Sequence, residues 1–139
     1  MRECPECGAV HDGHRWIAEP DANLIRRFAR AKKEKKLCPG CLRIEKRQVE
    51  GVVTLKGEFM DTHLDEVKNL VDRVAKNGRH RNVAARIFEV KQESGGLVIE
   101  TTDEHLAERI GKELEKAFKG DLKIKWQEKD RFVRISWQR

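Results

Sequence analysis

Cys-Pro-Glu-Cys at residues 4–7 and Cys-Pro-Gly-Cys at residues 38–41 hold every cysteine of the chain. Two residues between cysteines let a tight turn aim both thiolates at one ion while backbone N–H groups donate to the sulfurs, and Gly8 after the first pair relieves that turn. Cys4, Cys7, Cys38 and Cys41 together offer four soft ligands, the donor set of a closed tetrahedral site for one structural Zn²⁺ per chain. The stretch between the pairs exceeds the usual spacing of about 15–20 residues, and an inserted helix accounts for its length. A redox dithiol or an iron site are the competing readings, but neither pair has the strand-then-helix context of a thioredoxin-like site. His11 and His14 could complete a compact site with Cys4 and Cys7, which would leave Cys38 and Cys41 unexplained.

The opening "MRECPEC" has no apolar signal core, and the apolar runs are only a few residues long. No membrane span or secretory signal is expected, and a cytoplasmic setting favours metal or thiol chemistry over disulfides. Charge is unevenly placed. Between Leu24 and Glu50 stand ten basic residues (Arg26, Arg27, Arg30, Lys32, Lys33, Lys35, Lys36, Arg43, Lys46, Arg47) against three acidic ones, a balance of +7 in a chain whose total is +6. Asp21 reads as the N-cap of a helix through "DANLIRRFARAKKEKK" with Leu24, Ile25, Phe28 and Ala31 as its apolar stripe. Cations late in a helix suit the helix dipole, so a solvated face is one reading. Their density points beyond that to a phosphate-contacting surface.

From Gly51 the apolar period alternates between strand and helix. "GVVTLKG" reads as a strand. A helix capped at Thr62 follows, with Leu64, Val67, Leu70, Val71 and Val74 inward and Asn77-Gly78 as its stop, and "NGRHRN" is left as a basic loop. "AARIFEVKQ" and "GLVIETT" form a hairpin turned at "ESGG"; "TDEHLAERIGKELEKAFKG" is a second amphipathic helix capped by Gly120; "DLKIKWQ" and "RFVRISWQR" form a second hairpin. The expected class is α+β: a four-cysteine zinc ribbon over residues 1–50, then a small sandwich over 51–139. That sandwich is ferredoxin-like (βαββαβ with an added edge strand) or, if Gly51–Lys56 belongs to the zinc unit, α-ββ-α-ββ. The strands "VVTLK" and "LVIET" carry no stacking aromatics, which disfavours the usual base-reading platform. Trp126 and Trp137 fall in phase with the apolar set and are expected in the core.

The Cys-Pro-x-Cys knuckles, the basic segment between them and "GGLVIETTDEHLAERIGKELEKAFKGDLKIKW" resemble the Nmd-three family, whose eukaryotic members are large-subunit ribosomal export adaptors and which has shorter prokaryotic relatives. Fuller members carry four Cys-x-x-Cys pairs where this chain has two. The resemblance implies zinc at Cys4, Cys7, Cys38 and Cys41 and a basic surface facing ribosomal RNA or ribosomal proteins. Two functions follow as expectations: a non-enzymatic RNA-binding or ribosome-associated module, or a zinc-stabilised protein-interaction adaptor. No Ser-His-Asp set, phosphate-binding glycine loop or open metal position suggests catalysis; Asp103, Glu104 and His105 are explained as a helix start.

Overall fold

A computed structural model describes all of residues 1–139 as a mixed α+β chain with four helices and two sheets. The first sheet is minimal. Its strands β1 (Arg2–Glu3), β2 (Val10–His11), β3 (Trp16–Ile17) and β4 (Glu34–Lys35) are two residues each, in the order β3-β2-β1-β4. Two short helices accompany it, α1 (Ala22–Phe28) and α2 (Pro39–Glu45).

The second sheet has five strands, β5 (Gly51–Lys56), β6 (Ile87–Glu93), β7 (Gly96–Thr101), β8 (Asp121–Gln127) and β9 (Phe132–Gln138), in the order β6-β7-β5-β9-β8. β5 lies at its centre, antiparallel to β7 and parallel to β9, so Gly51–Lys56 is part of this sheet. In a plain βαββαβ scheme the strand leaving the second helix runs antiparallel beside the first strand. Here β8 goes to the edge instead, and its hairpin partner β9 takes the interior place. Trp137 explains the preference: β9 buries Val133, Ile135 and Trp137 completely or nearly so, whereas β8 offers the half-buried Leu122 and Ile124.

Helices α3 (Phe59–Arg81) and α4 (Glu104–Phe118) pack on one face of this sheet. The stripe expected for α3 is largely buried at Val67, Leu70, Val71 and Val74. Its bounds differ from the sequence reading, however. The helix begins before Thr62, with a local distortion at His63 whose ring stacks on Phe59, and it runs through Asn77 and Gly78 into "GRHR". Gly78 does not stop it because Leu106 of α4 crosses there, 3.1 Å from where a Cβ would stand, so this glycine serves close packing. The basic "NGRHRN" is thus mainly the last turn of a helix. Asp103 caps α4 by accepting from the Leu106 N–H at 3.0 Å. Trp137 is fully buried, its indole donating to the Lys119 carbonyl at 2.7 Å, but Trp126, on the edge strand, is 43% exposed, its ring 6.3 Å from that of His105 in the first turn of α4.

The long helix expected from Asp21 to Lys36 is the main local disagreement. Asp21 does cap α1, accepting from the Leu24 N–H at 2.7 Å, but the helix ends at Phe28. A helix of sixteen residues would carry the chain about 24 Å away, whereas the second cysteine pair must return to the first. The return is made by β4: Glu34 N–H donates to the Met1 carbonyl at 2.9 Å and Lys36 N–H to that of Glu3 at 3.0 Å. The stripe is correspondingly unburied, with Ile25 52% exposed.

Candidate metal centre

The first knuckle follows β1. Cys4 N–H donates to the Ala9 carbonyl at 2.8 Å and Gly8 N–H to that of Cys4 at 3.1 Å, with Gly8 at φ +79° completing the turn. The second knuckle is a helix start: Cys38 is the N-cap of α2, Pro39 occupies the first turn, and the Cys38 sulfur accepts from the Cys41 N–H at 3.4 Å. Pairing of β1 with β4 brings the knuckles together, so sequence and topology converge on one point.

All four Sγ atoms lie within 4.8 Å of one another, and Cys7 Sγ and Cys38 Sγ are 3.6 Å apart. Tetrahedral zinc with Zn–S of about 2.3 Å requires sulfur–sulfur separations of about 3.8 Å, so this donor set fits one Zn²⁺. Cys4, Cys38 and Cys41 are buried and all four thiols are free of disulfides. His11 and His14 lie outside the cluster; His11 instead packs edge-on against Trp16 and accepts from the Gly13 N–H at 3.1 Å.

The sulfurs differ electrostatically. Burial pushes the Cys4 thiol up, but N–H groups of Cys38, Cys7 and Glu6 outweigh it and lower its pKa to about 6. Burial raises Cys38, and burial together with neighbouring thiols takes Cys41 up to about 12. Four crowded thiols cannot all ionise without a compensating cation, which a divalent metal supplies.

One partner of the cluster comes from far along the chain. Arg86 Nη1 lies 3.8 Å from Cys41 Sγ, a donor to the sulfur from the segment joining α3 to β6. Around it the cysteine unit is tightly docked: a Cβ on Gly40 would come within 2.3 Å of the Val83 carbonyl oxygen. Thr102 ties the same segment down, its hydroxyl donating to the Ala84 carbonyl at 2.7 Å and its N–H to that of Arg86 at 2.9 Å. A cleft of about 600 Å³ opens beside the cluster, with Cys7, Cys41 and Arg86 on its wall together with Glu6 and Glu45. Nothing in the spacing of the sequence marks Arg86; only the fold brings it here.

The ten cations of the 24–50 segment separate into two groups. Lys33 and Lys35 flank Glu3 at 3.7 and 3.8 Å. Arg43 turns inward, donating to the Thr102 carbonyl at 2.8 Å and lying 3.8 Å from both Glu50 and Asp103. It links α2 to the N-cap of α4 and is engaged within the protein. The other seven (Arg26, Arg27, Arg30, Lys32, Lys36, Lys46, Arg47) are exposed and make no ion pair. No helix is long and apolar enough to cross a membrane. Comparison of the chain with family models, curated proteins and solved structures gives no match.

Proposed function

We propose that the protein is a non-enzymatic, zinc-stabilised module that binds RNA, in the manner implied by its resemblance to the Nmd-three family, with the ribosomal large subunit as the reference target. The observation that carries this reading is the set of seven exposed cations without ion pairs, five on the segment strung between the two knuckles and two, Lys46 and Arg47, just after the second. Exposed cations without carboxylate partners attract polyanions and release counterions on contact. Four thiolates fill a tetrahedron and leave no position for water, so zinc here fixes the backbone that displays those cations.

The test is a salt titration of binding to ribosomal RNA and to a random RNA of equal length. Five to seven phosphate contacts give a slope of log K against log salt of roughly −4 to −6. Reversal of Arg26, Arg27, Arg30, Lys32 and Lys36 to glutamate abolishes binding while zinc content stays at one per chain. Salt-independent binding, or binding unchanged by the reversal, would overturn the reading. A protein-interaction adaptor is favoured by the exposure of Ile25 between half-buried Leu24 and Phe28 on α1; it predicts one protein partner recovered after nuclease treatment and lost with Ile25→Glu.

A further inference from the structure

The face of the large sheet opposite the helices consists of the residues that alternate with the core. Strand register sets Glu89, Glu100, Val52, Arg134 and Lys125 side by side across β6, β7, β5, β9 and β8. This row runs carboxylate, carboxylate, valine, guanidinium, ammonium, and so changes sign about the central strand. The next row is Lys91, Val98, Thr54, Ser136 and Lys123. Val52, Thr54 and Val98 are half-buried in the middle, while Glu89, Lys123, Lys125 and Arg134 are exposed.

Within the chain the two halves do not neutralise each other. Lys91 sits between Glu89 and Glu100 at 3.7 and 3.5 Å, and Glu93 lies beyond it, leaving the β6–β7 half acidic. Arg134 rests on the Phe132 ring, 5.1 Å from its centroid; neither it nor Lys123 nor Lys125 makes an ion pair. Asp121 shares the outward row of β8, so the β8–β9 half carries a net +2 against −2 on β6–β7.

We infer that this face binds a second copy of the chain, sheet against sheet, about a twofold axis lying in the interface along β5. Such a rotation lays β6 and β7 of one copy over β8 and β9 of the other, so Glu89 and Glu100 meet Lys125 and Arg134 of the second copy and Val52 meets Val52, while at the edge strands Lys91 comes over Lys123 and Glu93 over Asp121; the attraction is that of the net charges of the two halves, reduced by these two like pairs. A twofold perpendicular to the strands would instead set acid on acid. Aligned sheets cross at about 30°, which a tilt of the axis by about 15° from β5 supplies. Five strands about 4.8 Å apart and six residues long present roughly 400–500 Å² per copy. Both copies together lie near the 1,000 Å² or so that a specific interface requires, so the dimer is weak and salt-sensitive. A nucleic acid strand spread across the same face would meet the carboxylates of β6 and β7, which argues against it as the occupant. This inference does not depend on the RNA reading.

Sedimentation velocity of the full zinc-loaded chain, at low and high salt, tests it. The wild-type chain dimerises with micromolar affinity at low salt and dissociates at high salt. Variant Glu89→Lys/Glu100→Lys and variant Lys125→Glu/Arg134→Glu each lose association by at least about tenfold, because like charges then face each other. An equimolar mixture of the two restores a heterodimer, since each reversed half meets its complement. Circular dichroism confirms that both variants are folded. A wild-type monomer at all concentrations, folded variants that dimerise as well as wild type, or a mixture that fails to reassociate would each overturn the proposal. So would a monomeric wild type whose RNA affinity disappears with Lys125→Glu/Arg134→Glu, an outcome that assigns the face to nucleic acid.

Discussion

Seventeen buried residues from β5, β7, β9, α3, α4 and the Ala85 turn form one core in the α/β unit, whereas the cysteine unit has six. Of those six, three are cysteines, two are alanines, and Val83 is contributed by the other unit. Full burial of a large aliphatic side chain contributes about 1.5–3 kcal/mol, so the α/β unit can close on apolar area alone. The cysteine unit cannot. Its two-residue strands and seven-residue helices lack both cooperative length and apolar volume, and a metal ion held by the four thiols, with apparent values of about 10–16 kcal/mol in small zinc domains, would supply what burial does not. One chain thus joins a unit organised by exclusion of water to one whose four clustered thiols can be organised by coordination.

Removing the metal breaks this comparison most directly. Chelation, or Cys38→Ser, releases the metal and exposes the amides of residues 1–47 to hydrogen exchange, while α3, α4 and the large sheet keep their protection. Loss of both units together would show that the α/β core depends on the metal too. Acidification acts by the same route. Burial raises the pKa of Cys38 and takes that of Cys41 to about 12, so protons compete most strongly for these two sulfurs as the pH falls. Metal content therefore declines on the acid side and is retained at neutral pH and above; retention that improves with acid would contradict this.

Trp137→Ala gives the converse result, with about 3–5 kcal/mol lost from the α/β unit in urea unfolding and the metal still bound. Gly40→Ala sharpens the boundary between the units. Its methyl would collide with the Val83 carbonyl, and the expected cost is about 1–3 kcal/mol, read as faster metal loss to a chelator with the α/β transition little moved. Arg43→Ala has the smallest effect. It removes the hydrogen bond to the Thr102 carbonyl and the contacts with Glu50 and Asp103, for about 1–2 kcal/mol, and the midpoint of urea unfolding measures it.

Most elements of the α/β unit could be read from residue order because each strand and helix repeats its own period. The cysteine site was equally legible in its ligands, since the Cys-x-x-Cys spacing encodes the turn locally. What escaped the sequence was set at long range. The helix after Asp21 has the right propensity to continue through Lys36, but closing the site requires β4 to pair with β1. Gly78 has the composition of a stop but faces Leu106 of another helix. The places of β8 and β9 were hidden because both alternate equally well, and only the complete burial of Val133 and Trp137 decides between them. Of the ten cations singled out, Arg43 shares its neighbours' composition and differs only in the direction that α2 gives it.

The contact between Arg86 and Cys41 also has a meaning in time. A chain emerging during synthesis presents both cysteine pairs once residue 41 is out, yet Arg86 follows 45 residues later, and Thr102 and Asp103, which complete the brace, follow about 15 residues after that. At about 5–20 residues per second this leaves roughly 3–12 s in which the knuckles can capture an ion before their supporting wall exists. The metal can then serve as the first fixed point of the molecule, onto which the rest of the chain is later folded.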